Sequence, residues 1–451
     1  MNDQRLDPTL RAQALAQRYR DKKASVGVVG LGYVGLPLCL AAVNSGLEVL
    51  GFDIDPAKPQ MLAEGRTYLR HLSSEVIAAA VATGHFRATA DFSRLSEPDA
   101  LLICVPTPLT VNLEPDLSFV VETAREIAKH LRRDQIVVLE STTYPGTTDE
   151  VLRPILEESG LKNGRDFFLG FSPEREDPGN ASFTTSTIPK VVGADTPDAL
   201  EIVQALYGNF IASVVPVSTT RVAEAVKLTE NIFRAVNIAL VNELKLVYEP
   251  MGVDVWEAID AAKTKPFGFM PFYPGPGLGG HCIPIDPFYL TWKAREYGIS
   301  TRFIELAGQI NSSMPHHVVS KLALVLDMRC RVGLNGSRIL VLGVAYKKNI
   351  DDMRESPALR LIELLEARGA TVDFFDPFVP VIHRTREHAA LTGRKSEPWS
   401  DDLAARYDAA LIVTDHDGVD YHAIVEHAAL VVDTRNVCRR AGIESQKLVL
   451  A

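Results

Sequence analysis

The sequence is short of the features that mark nucleic-acid-binding, membrane-spanning and disulfide-rich proteins. Its 57 acidic against 47 basic residues give a net charge of −10, whereas a nucleic-acid binder carries a basic surface. Five cysteines in 451 residues, with no C-x-x-C pair, predict neither a disulfide framework nor a structural zinc site. Apolar runs such as ALLICVP are too short to cross a membrane. The polar N-terminal stretch has no apolar signal-peptide segment, so we expect a soluble cytoplasmic protein without a metal.

What the sequence does contain is a repeated alternation of strand and helix patterns. Residues 25–215 alternate short apolar strands with helical stretches, which is typical of βαβ units and a parallel sheet, and residues 326–451 resume the pattern. Residues 1–24 predict an amphipathic helical arm, and residues 216–325 a mostly helical segment. We therefore expect two α/β domains joined by a helical linker. The predicted strands are SVGVVGL, EVLGFDI, ALLICVP, QIVVLES, FFLGFSP and KVVGA, then RILVLGVAY, TVDFFDP, AALIVTD and LVVDTRN.

The linker begins with a long predicted helix, residues 221–250. This stretch has no glycine or proline before its last residue and is apolar on most sides. Such a helix is buried between other bodies rather than laid on a surface. We expect it to join the two domains and to form the surface of a homodimer or a higher homo-oligomer.

A dinucleotide-binding pattern, VVGLGYVGLPL, lies between the first strand and the first helix of residues 25–215. Gly30 allows a tight turn, Gly32 lets the backbone approach a pyrophosphate at the helix N-terminus, and Gly35 permits close packing of helix on strand. Asp53 ends the next strand, where a carboxylate binds the ribose 2′-hydroxyl, and this favours NAD over NADP. Lys58 is expected either to touch the ribose or adenine side or to be a solvated lysine. The alternative for the whole pattern is a glycine turn without a ligand.

Other candidate NAD contacts surround this turn. Tyr33 and Val34 lie inside the glycine pattern, and Pro106 and Thr107 end or follow the strand ALLICVP. The second α/β segment retains only Gly343 of the pattern, so we expect it to bind something other than a second dinucleotide.

A single thiol stands out in GPGLGGHCIPIDPFYL, residues 275–290. Cys282 lies in a loop built of glycine and proline, which offers free backbone N–H groups that favour a thiolate. The alternative for a lone cysteine is a small buried apolar side chain. Cys39 and Cys104 lie inside apolar runs and are expected to be of that buried kind.

The long helix carries three polar residues on one face, Lys227, Asn231 and Arg234. Polar groups on an otherwise apolar helix need partners or a polar site. A lysine and an asparagine together can stabilise an alkoxide or oxyanion. The alternative is that they hydrogen-bond neighbouring loops.

Two motifs, LESTTYPGTT and FSPEREDPGN, follow predicted strands. Ligands of open α/β sheets bind at the carboxyl ends of strands, which places Thr143, Glu174 and Arg175 where a ligand is expected. Glu140 is equally suited to be a local cap or a salt-bridge partner.

Taken together, these motifs resemble the nucleotide-sugar 6-dehydrogenases of the UDP-glucose/GDP-mannose dehydrogenase family. The resemblance covers nearly all of residues 25–445 and is carried by GLGYVGLPL, ESTTYPGTT, KLTENIFRAVNIALVNEL, GPGLGGHCIPIDP and GVAYKKNIDDMRESPA. It implies two Rossmann-like domains, the second binding the UDP end of the substrate. It also implies oxidation of the sugar C6 alcohol to a carboxylate with two NAD⁺, and dimerisation through the long helix.

The resemblance assigns the catalytic groups. Cys282 matches the nucleophile that holds the C6 aldehyde as a thiohemiacetal and then as a thioester. Lys227 and Asn231 match the pair that binds the oxyanion. Asp286 matches the aspartate that orders the lysine and a water, and Glu174 matches the glutamate that assists the hydrolytic water.

Further residues match family contacts to cofactor and substrate. Thr143 and Asp53 correspond to NAD contacts, and Arg354 to an arginine that reaches the cofactor. Substrate contacts are implied for the following residues: Lys347 at the diphosphate or sugar, Tyr273 and Gly275 in the loop around the nucleotide sugar, Arg234 on the helix face, and Arg175 at a 2-acetamido group or the diphosphate.

Two departures from the family pattern bear on the substrate. UDP-glucose members show Gly-Gly-Ser-Cys where this chain has His281, whose expected role is either acid/base chemistry or a loop hydrogen bond. They also carry a second glutamate where this chain has Pro178. Both segments resemble members acting on UDP-N-acetylhexosamines, so we expect UDP-N-acetylglucosamine and a product for polysaccharide or O-antigen synthesis. The alternatives are UDP-N-acetylmannosamine, UDP-glucose, or a catalytically silent NAD- or nucleotide-sugar-binding sensor.

Overall fold

The structure, a computed structural model, describes residues 8–69, 72–110, 112, 114–175, 184–280, 283, 285–385 and 387–451. The chain forms two compact units, here called unit 1 and unit 2. Unit 1 comprises Met1–Glu230 and Trp292–Gly298, and unit 2 comprises Asn231–Thr291 and Ile299–Ala451. The division falls within the long predicted helix, which therefore contributes residues to both units.

Unit 1 is built on an eight-stranded sheet. Its strands are β1 (Ser25–Val29), β2 (Glu48–Phe52), β3 (Phe86–Thr89), β4 (Ala100–Ile103), β5 (Ile136–Leu139), β6 (Phe168–Phe171), β7 (Lys190–Gly193) and β8 (Val214–Val217). They are ordered β3-β2-β1-β4-β5-β6-β7-β8. The first six strands of this order are all parallel, as in a dinucleotide-binding α/β fold.

Helices cover both faces of this sheet, which explains why β4, β5 and β6 are apolar at every position. The helices are α1 (Pro8–Arg20), α2 (Gly35–Asn44), α3 (Ala57–Ala63), α4 (Ser74–Ala82), α5 (Ser118–His130), α6 (Arg153–Glu157), α7 (Pro197–Tyr207) and α8 (Thr220–Tyr248). Buried Tyr19, Leu38 and Leu206 from α1, α2 and α7 share one core. Ile127 and Leu156 from α5 and α6 share the core on the other face.

The predicted strands of unit 1 are all present. Strands β3 and β8 and the antiparallel pairing of β7 with β6 were not predicted. β3 is short and half polar, and β8 contains Pro216 and is mostly accessible, so neither shows the apolar run of a central strand. β7 pairs antiparallel with β6 and parallel with β8, so the expected parallel sheet reverses direction once. Apolar patterning does not encode the direction of a strand, so this reversal could not be predicted.

Unit 2 is built on a five-stranded parallel sheet in the order β10-β9-β11-β12-β13. Its strands are β9 (Arg338–Leu342), β10 (Thr371–Phe375), β11 (Ala409–Ile412), β12 (Val431–Asp433) and β13 (Leu448–Leu450), of which β13 was not predicted. Its helices are the remainder of α8, then α9 (Val255–Ala262), α10 (Asp286–Glu296, shared with unit 1), α11 (Arg302–Val325), α12 (Pro357–Ala367), α13 (Tyr421–His427) and α14 (Val437–Arg440).

Both sheets share one turn geometry after their first strand. In unit 1, Gly30 has φ +95° and Asp53 accepts a hydrogen bond from the Leu31 N–H at 3.0 Å. In unit 2, Gly343 has φ +83° and Asp376 accepts from the Val344 N–H at 2.7 Å. The sequence echo between the two segments is therefore a structural repeat.

Helix α8 departs from the expectation of burial on most sides. Val222, Phe233, Leu240 and Val247 are each more than 40% exposed. Burial could not be predicted correctly for these residues, because an apolar pattern on all sides of a helix does not indicate which side packs against the rest of the chain. Among the described residues, no helix is long and apolar enough to cross a membrane.

The four-part division at 1–24, 25–215, 216–325 and 326–451 stays a proposal. Helix α1 lies in the first part, of which residues 1–7 lie outside the described part of the chain.

Candidate active site

The glycine turn of unit 1 has the shape that a dinucleotide requires. A Cβ on Gly30 would lie 2.5 Å from the Cys104 carbonyl oxygen, and a Cβ on Gly35 would lie 1.9 Å from the Gly30 carbonyl oxygen. A Cβ on Gly32 would meet nothing within 4 Å. The missing side chains of Gly30 and Gly35 therefore allow the turn to close, and that of Gly32 leaves open space at the tip of the turn.

Asp53 and Lys58, the predicted ribose contacts, are paired with each other. Asp53 is 5% exposed, and its Oδ2 accepts from Lys58 Nζ at 2.8 Å and from the Leu31 N–H. Its Oδ1 accepts from the Asp55 N–H at 3.0 Å. The carboxylate is thus fixed beside the glycine turn.

The remaining cofactor candidates of unit 1 lie at the carboxyl ends of β1, β4 and β5. Tyr33 and Val34 are half-buried at the start of α2, whose N-terminus has no side-chain cap. Pro106 is exposed, and the Thr107 hydroxyl donates to the Thr142 carbonyl at 2.7 Å. Thr143 is fully buried, and its hydroxyl has no hydrogen-bond partner among the described residues. An uncapped helix N-terminus and an unsatisfied hydroxyl at one sheet edge fit a bound dinucleotide.

Unit 1 also holds three of the predicted catalytic and substrate residues. Lys227 is 5% exposed and donates to the Glu174 carbonyl oxygen. Arg175 donates to the Pro189 carbonyl at 2.7 Å and forms an ion pair with Glu230. The chain around Glu174 is therefore bound to α8.

A buried polar network beside Glu174 was not predicted as a unit. Lys190 Nζ donates to Glu140 Oε2 at 2.7 Å, and the Tyr207 hydroxyl donates to the other Glu140 oxygen. Of the two roles left open for Glu140, local cap or salt-bridge partner, the structure shows the salt bridge. Burial acts to lower the pKa of Lys190, but the Glu140 and Glu174 carboxylates outweigh it and raise that pKa.

Glu224 is a second buried carboxylate that sequence reasoning missed. It is fully buried on α8 and accepts from the Thr148 N–H at 2.8 Å, the Thr148 hydroxyl at 2.7 Å and the Gly146 N–H. Burial raises its pKa to about 7, although these hydrogen bonds oppose the shift. Glu224 thus fixes the loop PGTT, which begins two residues after Thr143. The sequence signal was an acid flanked on both sides by apolar residues, in VAEAV near the start of the helix.

In unit 2, Asn231 and Asp286 lie together. Asp286 begins α10, is 2% exposed, and accepts a hydrogen bond from the Asn231 side-chain N–H. Arg234 donates to the Asn231 side-chain oxygen. Cys282 and His281 lie outside the described residues.

The predicted nucleotide-sugar loop also belongs to unit 2. The Gly275 N–H donates to Asn242 Oδ1 at 3.0 Å, and a Cβ on Gly275 would lie 2.7 Å from the Arg435 guanidinium. The Tyr273 hydroxyl donates to Asp260 Oδ1 at 2.7 Å. Gly275 is therefore packed against an arginine that the sequence had not singled out.

The two C-terminal candidates, Lys347 and Arg354, follow β9. Lys347 is half-buried, and Arg354 forms an ion pair with Asp352 at 2.6 Å.

Lys245, another residue that sequence reasoning missed, is 3% exposed on α8. Within the part of the chain that the structure describes, its Nζ has no hydrogen-bond partner. It lies 5.6 Å from the centre of the Trp256 ring. Burial lowers its pKa to about 8.

Comparison with known proteins decides the family. Residues 24–211 match the NAD binding domain of the UDP-glucose/GDP-mannose dehydrogenase family, 221–313 its central domain and 340–440 its UDP binding domain. A UDP-N-acetyl-D-glucosamine 6-dehydrogenase of Pseudomonas aeruginosa is 39% identical over 362 residues, covering 79% of this chain and 84% of that protein. The chain belongs to the UDP-glucose/GDP-mannose dehydrogenase family. It is an NAD-dependent nucleotide-sugar dehydrogenase.

Other relatives carry different sugar names. An NDP-N-acetyl-D-galactosaminuronic acid dehydrogenase of Ralstonia nicotianae is 34% identical over 408 residues, covering 87% of this chain and 90% of that protein. The structure of a UDP-D-ManNAc dehydrogenase from Pyrococcus horikoshii superposes with a TM-score of 0.84 at 31% identity, covering 94% of this chain and 98% of that one. The family and the NAD cofactor predicted from the sequence are confirmed, and so is the α/β fold with two Rossmann-like domains.

Proposed function

We propose that this dehydrogenase acts on a UDP-N-acetylhexosamine, and specifically oxidises the C6 alcohol of UDP-N-acetylglucosamine to the carboxylate. The P. aeruginosa relative bears that activity in its name and is 39% identical. The segments PEREDPGN and GGHCIPIDPFYL support the same substrate class. The proposal places the reaction in the cytoplasm and its product in surface polysaccharide or O-antigen synthesis.

The proposed reaction passes through a covalent sugar–cysteine adduct. NAD⁺ bound at the glycine turn would supply the hydride acceptor for each of the two oxidations at the sugar C6. The Cys282 thiolate adds to the C6 aldehyde left by the first transfer, which forms a thiohemiacetal that cannot escape before the second. Loss of the second hydride leaves a thioester, and water releases the carboxylate and restores the thiol. One alcohol and one water thus become one carboxylate, with two hydrides and three protons lost.

Lys227 and Asn231 are proposed to bind the negative oxygen on C6. They are four residues apart in α8 and are buried, so their donors act where water does not screen them. Asp286 fixes the Asn231 amide through their hydrogen bond, and Glu174 is the proposed base for the hydrolytic water. Lys347, Tyr273 and the other substrate candidates remain part of this proposal.

The observation that carries the proposal is the hydrogen bond of Asn231 to Asp286. The sequence resemblance had assigned both residues to one chemistry, and they are 55 residues apart in the chain. A silent NAD- or nucleotide-sugar-binding sensor would have no need of a buried amide and carboxylate fixed against each other.

The sugar is tested by comparing kcat/KM for UDP-N-acetylglucosamine, UDP-N-acetylmannosamine and UDP-glucose, on wild type and on Cys282→Ala. We expect UDP-N-acetylglucosamine to be the best substrate and the variant to be inactive with all three. A preference for UDP-N-acetylmannosamine, which the P. horikoshii neighbour makes the second candidate, would overturn the sugar and keep the mechanism.

A homodimer through α8 is the second part of the proposal. Phe233, Leu240 and Val247 recur every seven residues, so they lie on one side of the helix, and each is exposed. An exposed apolar row of this kind is typical of a protein–protein interface.

A further inference from the structure

Residues 344–349, which follow the glycine turn after β9, carry one of the proposed substrate contacts, Lys347. They also carry Tyr346, which packs against the glycine-rich loop of unit 2. A Cβ on Gly280 would lie 2.9 Å from the Tyr346 ring. Gly280 precedes Cys282 by two residues in the sequence. The conformation of this segment therefore affects both the proposed substrate contact and the glycine loop that leads to the cysteine.

Buried side chains hold the start of the segment. Asp376 Oδ2 accepts a hydrogen bond from the Val344 N–H at 2.7 Å and from the Ala345 N–H at 3.1 Å. The Thr414 hydroxyl donates to the Ala345 carbonyl oxygen at 2.6 Å. Asp376 follows β10 and Thr414 lies just after β11, so two strand ends fix these first two residues.

His416, which is fully buried, holds the end of the segment. The Asn349 N–H donates to His416 Nδ1 at 2.9 Å, and His416 Nε2 lies 3.1 Å from Asp376 Oδ2. Because Nδ1 accepts a hydrogen bond, the ring proton lies on Nε2 and is donated to Asp376. Asn349 has φ +62°, a conformation that persists only when its surroundings hold it, and it is also bonded to the exposed Asp417.

The aspartate after the second strand of each sheet has a different partner in the two units. Asp53 and Asp376 each accept from the first backbone N–H after a glycine turn. Asp53 also pairs with the half-buried Lys58, whereas Asp376 pairs with the buried His416. Burial opposes ionisation of Asp376, but hydrogen bonds from His416 and from backbone N–H groups outweigh it and lower its pKa. In unit 2 this carboxylate is therefore engaged by the protein rather than facing a ribose.

We propose that His416 is a positioning residue for the substrate segment 344–349. Asp376 sets the orientation and the tautomer of the imidazole, and Nδ1 then fixes the Asn349 backbone. The segment presents Lys347 to the nucleotide sugar in a conformation that exists before the substrate binds, so that less ordering accompanies binding. The inference rests on the role given to Lys347 under "Proposed function".

The test uses two substitutions that each keep one of the two hydrogen bonds of His416. In His416→Asn the side-chain oxygen takes the place of Nδ1, so Asn349 keeps its acceptor. In His416→Gln the longer amide takes the place of Nε2, so Asp376 keeps its donor and the Asn349 N–H loses its acceptor. The measurement is the calorimetric Kd for UDP-N-acetylglucosamine without NAD⁺. We expect His416→Gln to weaken binding about tenfold and His416→Asn at most about threefold.

A merely structural role gives the reverse order. His416→Asn removes a donor from a buried carboxylate, so it should be the less thermally stable of the two variants. An affinity loss in His416→Asn that equals or exceeds the loss in His416→Gln overturns the inference, as does an unchanged affinity in His416→Gln. His388→Gln is the matched control, because His388 is also a buried histidine of unit 2 and lies 2.9 Å from Glu363. It should leave the Kd unchanged.

A measurement on the wild type keeps the inference testable if His416→Gln does not fold. Hydrogen-exchange mass spectrometry of a peptide that contains residues 344–349 should show protection in the absence of any nucleotide sugar. Protection that develops only when UDP-N-acetylglucosamine is added would show that the substrate, and not His416, orders the segment.

Lys347→Met separates this inference from the proposed function. If this variant binds UDP-N-acetylglucosamine as tightly as wild type, the role of Lys347 is wrong and the inference falls with it. If it loses affinity while His416→Gln does not, the inference alone is overturned. If wild type binds UDP but not UDP-N-acetylglucosamine, the proposed sugar is wrong, and the order of the His416 variants is measured with the UDP-sugar of highest kcat/KM.

Discussion

Gly32 and Gly35 show how one residue type serves two purposes within four positions. Gly35 packs against the Gly30 carbonyl oxygen, so its missing side chain is a requirement of the fold. Gly32 faces open space, so its missing side chain is a requirement of the ligand. Binding and folding can therefore be separated at this turn by single substitutions.

We predict opposite outcomes for alanine at these two positions. Gly35→Ala places a Cβ 1.9 Å from a backbone oxygen and should lower the free energy of unfolding by about 1–3 kcal/mol or prevent folding. Gly32→Ala should leave that free energy within about 0.5 kcal/mol. It should nevertheless weaken NAD⁺ binding at least about tenfold, by excluding the pyrophosphate. Urea unfolding and NAD⁺ titration check this, and an undiminished NAD⁺ affinity in Gly32→Ala would contradict it.

We predict that replacing the buried Lys245 by methionine stabilises the protein. Because burial lowers its pKa to about 8 from an ordinary value of 10.5, the unfolded chain binds more protons between those two values. The free energy of unfolding should therefore rise with pH through that window, and the full cost, about 3 kcal/mol, is present below it. Lys245→Met should recover up to that amount at neutral pH and remove the rise.

The control for Lys245→Met is the substitution of a lysine that forms an ion pair. Lys321 is partly exposed and paired with Glu249, so Lys321→Met should not stabilise the chain. Thermal unfolding of both variants across the alkaline range is the measurement. A Lys245→Met variant less stable than wild type would mean that the ammonium group has a partner in the working enzyme.

The residues that could be predicted from the sequence are those whose partners lie close to them along the chain. Gly30, Gly32, Gly35 and Asp53 lie within one βαβ unit, and their spacing alone places them together. Lys190 and Glu140 are 50 residues apart, and only the folded sheet joins them. Lys245 could not be predicted either, because a lysine on a helix is ordinarily solvated and the sequence does not say which side of α8 is covered.

At the scale of elements, α8 contributes buried polar residues to each of the two units. It supplies Lys227 and Glu224 to unit 1 and Asn231 and Lys245 to unit 2, each of them buried. The helix itself was predictable, since nothing interrupts it from 221 to 249. Strands β3 and β8 were not, because edge strands need no continuous apolar pattern.

The prediction at the scale of elements concerns Glu224 and the PGTT loop that it holds against α8. Glu224→Ala leaves the Gly146 and Thr148 N–H groups without their acceptor and should lower the free energy of unfolding by about 2 kcal/mol. The variant should also have a higher KM for NAD⁺, because the loop that Glu224 fixes follows Thr143. Glu243→Ala, on the exposed side of α8, is the control and should change neither quantity appreciably. Equal effects from both variants would show that the PGTT loop does not depend on Glu224.

At the scale of the whole molecule, the exposed apolar row on α8 predicts self-association. Leu240→Asp puts a charge in the middle of Phe233, Leu240 and Val247, and burying an unpaired charge at an interface is costly. The wild type should elute as a dimer or larger in light-scattering chromatography, and the variant as a monomer with unchanged far-UV circular dichroism. A wild-type monomer would refute the proposed interface.

The central claim is that one chain carries out both oxidations on a sugar held by Cys282. It is tested most directly by counting NADH formed from limiting UDP-N-acetylglucosamine. The account predicts two NADH per sugar for wild type, in keeping with the proposed balance of two hydrides, and no carboxylate product from Cys282→Ala. One NADH per sugar with release of an aldehyde would contradict it, because the reaction would then end before any thioester could form.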